Sequence, residues 1–72
     1  MTLTDDRLRL IESSKQMIFQ LNLEAAELEG LANKSPEPQR SYYRSKARSV
    51  RYMIVDEEMR LIRLESDTAS GH

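Results

Sequence analysis

The chain has 72 residues, no cysteine, one histidine and a net charge of −1 at pH 7. Disulfides and thiolate metal sites are excluded, and 11 basic against 12 acidic residues direct it as a whole to neither nucleic acid nor anionic lipid. The single histidine, His72, stands at the terminus, so we expect no metal and no cofactor. A core this small supplies about 3 to 5 kcal/mol, and association with another chain is the expected additional stabiliser.

The first predicted helix covers about residues 4–33. Thr4 is a typical N-cap residue, and Asp5 and Asp6 follow where the positive end of the helix dipole favours acids. Apolar and small residues then recur at alternating three- and four-residue steps, which is the spacing of one helix face. This first seam comprises Ile11, Ser14, Ile18, Leu21, Ala25, Leu28 and Ala32, and it is flanked by Leu10, Met17 and Leu31.

A turn at about residues 34–36 is predicted by Ser35-Pro36-Glu37-Pro38, which holds both prolines of the chain. Ser35 is expected to cap a second helix of about residues 36–65, since proline is tolerated in a first turn. Residues 66–72 are expected to form a flexible polar tail. The second helix repeats the spacing of the first in a second seam that comprises Tyr43, Ala47, Val50, Ile54, Glu57, Leu61 and Leu64.

A short connection makes successive helices antiparallel neighbours. The sequence therefore predicts one all-α domain, an antiparallel two-helix hairpin with the two seams facing each other. Residues whose numbers sum to about 70 then lie level, which pairs Leu21 with Val50, Met17 and Ile18 with Ile54, and Leu10 with Leu61. Ser14 meets Glu57 in this register, and a polar pair inside an apolar seam fixes register and orientation.

Large apolar residues also stand nearly opposite each seam, where one hairpin cannot cover them. We expect them to form a homodimer interface that completes a four-helix bundle. A membrane-surface role for part of this set is disfavoured, because Asp56, Glu57 and Glu58 beside it would be repelled by anionic lipid. The predicted dimer interface consists of Phe19, Leu23, Tyr52, Val55, Met59 and Ile62.

The start of the second helix is basic, with five basic residues and no acid between Gln39 and Tyr52. Arginine and tyrosine are enriched in protein-binding hot spots. The same residues could instead contact phosphates and stack on bases, form a solvated helix face, or pair with Glu24, Glu27 and Glu29 of the first helix. The candidate partner-binding residues are Arg40, Tyr42, Tyr43, Arg44, Arg48 and Arg51.

The layout resembles two groups of small proteins. Arg40-Ser41-Tyr42 followed by Arg44 is similar to the arginine and tyrosine contact segment of phage-encoded anti-activators, which are short dimerising hairpins that occlude a host transcription factor or motor protein. Pro38 and Tyr42 near the turn are similar to the small co-chaperones of type III secretion needles. Both resemblances imply a non-enzymatic protein that acts by forming a complex.

Catalysis has little support, because two helices offer no cleft and Ser13-Ser14-Lys15 on a helix lacks an oxyanion hole. We therefore expect a small non-enzymatic regulator or adaptor that binds another protein, such as a phage or bacterial inhibitor of a host protein. The alternatives are a nucleic-acid-binding helical dimer, a small secretion co-chaperone or a self-assembling bundle. A cytoplasmic location is expected, since no apolar run reaches the length of a membrane span and the first residues do not resemble a signal peptide.

Overall fold

Two long helices make up the computed structural model, which describes the backbone of residues 2–70 and the side chains of residues 5–66. Helix α1 runs from Thr2 to Lys34 and helix α2 from Gln39 to Ser70. They pack against each other along their length in a rod that measures 54 × 15 × 11 Å. The predicted all-α antiparallel hairpin is confirmed.

The two predicted seams form the core, and every one of their positions is buried or half-buried. Leu21, Ala25, Val50 and Ile54 make a buried cluster against which Ile18 and Leu28 pack. Small residues let the two helices approach closely along the seams: Ala25, Ala32 and Ala47 are almost fully buried. Met17 and Leu10 are different, since they stay about half exposed beside the seam.

The two helices lie in the register that pairs Ser14 with Glu57. The Ser14 hydroxyl donates a hydrogen bond of 2.8 Å to Oε2 of Glu57 across the helix interface. Ser14 is only 4% exposed, so this contact lies within the seam. The expected pairing of Ser14 with Glu57 is confirmed.

The turn departs from the prediction, because α2 begins at Gln39 rather than at Pro36. Glu37 precedes Pro38, and the proline ring keeps a residue in that position out of the helical region, so α2 begins only after residue 37. Ser35 therefore lies upstream of the helix and does not cap it with its hydroxyl. Its carbonyl accepts a hydrogen bond of 3.1 Å from Nε of Arg40.

Glu37 takes the capping role that was assigned to Ser35. Its Oε1 accepts hydrogen bonds from the Ser41 backbone N–H at 3.1 Å and from the Ser41 hydroxyl at 2.7 Å. The first N–H groups of a helix have no intrahelical acceptor, so the carboxylate satisfies one of them. These two bonds, the hydroxyl bond being the stronger cause, lower the pKa of Glu37 from its ordinary value of 4.5.

This cap predicts acid sensitivity at the turn. Because the folded-state pKa of Glu37 is lowered, its contribution to stability is present above the unfolded value of 4.5 and is lost as the pH falls through the folded value. We expect Glu37→Gln to unfold at lower denaturant concentration than wild type at neutral pH, and the difference to shrink on acidification. Urea unfolding followed by circular dichroism at several pH values measures this. Ser41→Ala, which removes the hydroxyl bond and keeps the backbone bond, should give a smaller loss with the same pH dependence. A difference independent of pH would contradict the cap.

Both helices extend beyond their predicted ends. Helix α1 begins at Thr2, before the predicted cap at Thr4, and α2 continues to Ser70 rather than stopping near Glu65. No glycine or proline interrupts the chain between Pro38 and Gly71, so nothing stops α2 earlier. The predicted tail is thus helical as far as Ser70, and its last residues, 71–72, lie outside the described residues.

Candidate protein-binding surfaces

One broad side of the hairpin is closed by ion pairs between the helices. Arg51 binds Glu29 with two parallel hydrogen bonds of 2.8 and 3.0 Å, and Nζ of Lys15 lies 4.0 Å from Oε2 of Glu65. The hydrogen bond to Arg51 lowers the pKa of Glu29, and the same contact raises that of Arg51. These four side chains are about half exposed, so they orient the helices more than they stabilise them. We call this the ion-paired side.

The opposite broad side carries a shallow groove between the helices, to which Glu24 and Leu28 of α1 and Tyr42 and Lys46 of α2 contribute. Positions seven residues apart lie on the same side of a helix. The side that holds Glu24 therefore also holds Leu10, Met17 and Leu31, and the side that holds Lys46 also holds Met53 and Arg60. Those four apolar residues are 44% to 53% exposed. We call this the methionine side.

The residues predicted to form a dimer interface are all exposed, between 49% and 66%. They do not form one surface. Because the seams face each other, residues opposite the seams lie on the two outer edges of the hairpin. The α1 edge holds Phe19 and Leu23, and the α2 edge holds the other four, Tyr52, Val55, Met59 and Ile62.

Two opposite edges cannot be covered by one closed two-fold contact. Packing the α1 edge of one chain on the α2 edge of another is a head-to-tail contact, which leaves one edge open on each chain and propagates. A closed dimer therefore uses one edge twice or one broad side twice. A dimer role for either edge stays a prediction.

Three of the six candidate partner-binding residues are engaged within the hairpin. Arg40 is half-buried and donates to the Ser35 carbonyl. Arg51 is held by Glu29 at 2.8 Å. Tyr43 is half-buried in the seam, with its ring edge-on to Tyr42 at a centroid distance of 5.5 Å.

The remaining three, Tyr42, Arg44 and Arg48, are exposed, on two flanks of α2. Tyr42 faces the groove of the methionine side, with Nζ of Lys46 5.5 Å from its ring centroid. Arg44, Arg48 and Tyr52 are spaced four residues apart, so the two arginines continue the α2 edge toward the turn. Within residues 5–66, Arg48 forms no ion pair with another side chain.

Fewer of the glutamates of α1 form ion pairs with the basic residues of α2 than the sequence suggested. Of the glutamates at the end of α1, Glu29 pairs with Arg51 and not with the basic residues nearer the turn. Glu24 and Lys46 line the same groove without forming an ion pair. Charge on the methionine side is thus available for an external contact.

The methionine side was not proposed as a site from the sequence. Leu10, Met17 and Leu31 were recognised only as flanks of the first seam. Their repeat at intervals of seven residues was the available signal, together with the repeat of Lys46, Met53 and Arg60 in α2. Only the antiparallel register shows that both sets reach one side of the hairpin.

The described part of the chain contains neither a candidate metal site nor a membrane span. It holds no group of three His, Asp or Glu side chains close enough together to bind a metal ion. Neither helix, as far as it is described, has a stretch apolar and long enough to cross a membrane. No protein-family model, curated protein or solved structure matches the chain.

Proposed function

We propose that this protein is a small non-enzymatic regulator or adaptor of the cytoplasm that binds another protein through the outer edge of α2. Arg44 and Arg48 form the basic part of that edge, and Tyr52, Val55, Met59 and Ile62 form its apolar part. The resemblance to phage-encoded anti-activators is part of this proposal through Arg44, since Arg40 bonds to the turn and Tyr42 faces the methionine side.

The observation that carries the proposal is the spacing of the exposed edge. From Arg48 onward its residues follow at steps of four, three, four and three, which is the spacing of a helix that packs against another helix. Each apolar member is at least half exposed. An exposed stripe with helix-packing spacing has no use inside the hairpin, because the seam on the opposite face already packs against α1.

The chemistry of the edge defines its partner. Four apolar side chains suit the apolar face of an amphipathic helix. The arginines at one end of the stripe suit carboxylates that flank this face, since arginine forms paired hydrogen bonds with a carboxylate. We therefore expect a protein target with an exposed helix that combines apolar and acidic residues.

Retention of a target from host lysate, with nuclease present, tests the proposal. Met59→Glu and Arg48→Glu should each abolish retention of a stoichiometric protein that the wild type captures. Met59→Glu places an unpaired charge in the apolar contact, and Arg48→Glu sets a carboxylate against the carboxylates of the target. Leu23→Glu is the matched control, since Leu23 and Met59 are equally exposed on opposite edges, at 49% and 51%. Loss of the target with Leu23→Glu alone, or retention by all three variants, would overturn the assignment.

Nucleic acid is the second candidate partner, favoured by the ridge of Arg44, Arg48 and Tyr52. The ridge supplies few phosphate contacts, since Arg40 bonds to the turn and Arg51 to Glu29. Affinity for single strands should then fall only modestly as salt is raised, because the slope follows the number of neutralised phosphates. Fluorescence anisotropy over a salt series measures it, and absence of binding at low salt would remove this candidate.

A further inference from the structure

The two broad sides of the hairpin differ in a way that neither helix alone reveals. The ion-paired side is joined by the contacts of Arg51 with Glu29 and of Lys15 with Glu65. On the methionine side both helices present half-exposed apolar side chains: Leu10, Met17, Leu31 and Met53. We propose that the methionine side binds a second copy of this chain, with the turns of both hairpins at the same end, to form a four-helix bundle.

The size of the surface suits a stable dimer. The rod is 54 Å long and 15 Å wide, so one broad side offers roughly the 800 Å² per partner that a standard interface buries. The outer edges are single helices and offer a narrower contact. A second hairpin on this side covers the full width of both helices, whereas a single helix seated in the groove covers only the strip between them.

Charge selects the orientation with the turns at the same end. In that arrangement a two-fold axis runs along the rod and places α1 of one chain on α2 of the other at the same level. The antiparallel register, set by Ser14 and Glu57, then puts Met17 level with Met53 of the second copy. Glu24 comes level with the second copy's Lys46, which is the partner that it lacks as an ion pair within its own chain.

The opposite orientation, with the turns at different ends, has the reverse charge pattern. With full overlap of the rods, α2 then packs on the other chain's α2 in antiparallel fashion about Met53. This brings Lys46 level with Arg60 of the second copy, which places like charges together. Glu24 faces Leu10 of the second copy and loses its hydration without gaining a partner. The same-end arrangement avoids both costs.

The first test is the mass in solution. Sedimentation equilibrium should give twice the chain mass for the wild type, and Met17→Glu and Met53→Glu should each weaken the dimer at least about tenfold, or about 1.4 kcal/mol. Leu23→Glu and Met59→Glu, on the two outer edges, should leave the dimer unchanged. Both methionines are about half exposed in the hairpin, so helicity by circular dichroism should be kept in each variant.

A charge exchange tests the orientation. In the same-end dimer, positions 24 and 46 of both chains lie at one level of the interface. A dimer of Glu24→Lys places four lysines there, and a dimer of Lys46→Glu places four glutamates there. Each variant alone should therefore be largely monomeric. Mixing the two should restore a mixed dimer, because each lysine then lies opposite a glutamate of the other chain. Native mass spectrometry with one variant carrying a mass tag counts the mixed species.

Each outcome of these experiments decides something. A monomeric wild type, or dimers that persist in Met17→Glu and Met53→Glu, would overturn the inference. Dimers without recovery on mixing would overturn the same-end orientation. The inference is independent of the proposed function, since Met59→Glu is expected to lose the partner and keep the dimer, whereas Met17→Glu is expected to lose the dimer.

Discussion

Ile54→Ala is expected to lower the free energy of unfolding by about 2 to 5 kcal/mol, through loss of buried apolar surface and the cavity left behind. Ile54 is 6% exposed and belongs to the central cluster with Leu21, Ala25 and Val50. A hairpin of this size has about 3 to 5 kcal/mol in total. The variant should therefore be largely unfolded at room temperature, which urea titration followed by circular dichroism measures.

Val55→Ala is the matched control, because Val55 is the next residue and is 50% exposed. Its unfolding free energy should stay within about 0.5 kcal/mol of wild type. The comparison needs equal chain concentrations, since any dimer stabilises the folded state. Equal losses in both variants would show that the outer edge of α2 is as buried in solution as the seam.

Gly30→Ala is expected to stabilise the hairpin, so that destabilised variants such as Ile54→Ala can be measured in a more stable protein. Gly30 lies within α1, and an added Cβ there meets nothing within 4 Å. Alanine is favoured over glycine inside a helix by up to about 1 kcal/mol. The substitution should raise the unfolding midpoint of the wild type and of Ile54→Ala by similar amounts, because the two sites share no contact.

The core of this hairpin could be predicted from spacing. In a two-helix protein, burial depends only on how each helix is rotated about its own axis, which sets the face that it turns to the other helix. Residues that recur at three- and four-residue steps, such as Leu21 and Ala25 in α1 or Val50 and Ile54 in α2, share a face whatever the rest of the chain does. A single break at the prolines then fixes the register. That is why the sequence alone could place Ser14 opposite Glu57.

The turn could not be predicted in detail because several residues there compete for the same role. Ser35 and Glu37 are both able to cap a helix, and the choice depends on where the chain leaves the prolines. The restriction on residues before proline keeps Glu37 itself out of the helix, which moves the start of α2 away from Ser35. With Ser35 displaced upstream, the longer side chain of Glu37 reaches Ser41.

The candidate site was only partly predictable because the sequence lists arginines without saying which ones the fold engages. Arg40, Arg48 and Arg51 look equivalent in a basic stretch. Arg40 is held by the Ser35 carbonyl and Arg51 by Glu29, whereas Arg48 projects from the edge. Arg40 is engaged because it lies next to the turn, and Arg51 because its angular position beside the seam lets it reach across to α1.

Ser14→Ala is expected to lower the free energy of unfolding by about 1 to 2 kcal/mol, because a hydrogen bond to a carboxylate is lost. The Glu57 side chain is 14% exposed, and Arg60 approaches its Oε2 no closer than 4.0 Å. Loss of the hydroxyl thus leaves the carboxylate mostly buried with a weaker partner. Ser13→Ala, at the exposed neighbouring position, should leave stability within about 0.5 kcal/mol of wild type.

Combining Ser14→Ala with Glu57→Leu should reverse the loss. Replacing both partners by apolar groups removes the need for the hydrogen bond, so the double variant should be at least as stable as wild type. The four unfolding free energies of this cycle should give a coupling of about 1 kcal/mol or more. Additive effects would show that the 2.8 Å contact contributes nothing to folding.

The double variant should also control the register of the helices less strictly, because an all-apolar seam no longer penalises a shift of one helix along the other. Broadened or doubled amide resonances in the double variant would measure that loss, and a single sharp set would assign register to the prolines and the small alanines alone.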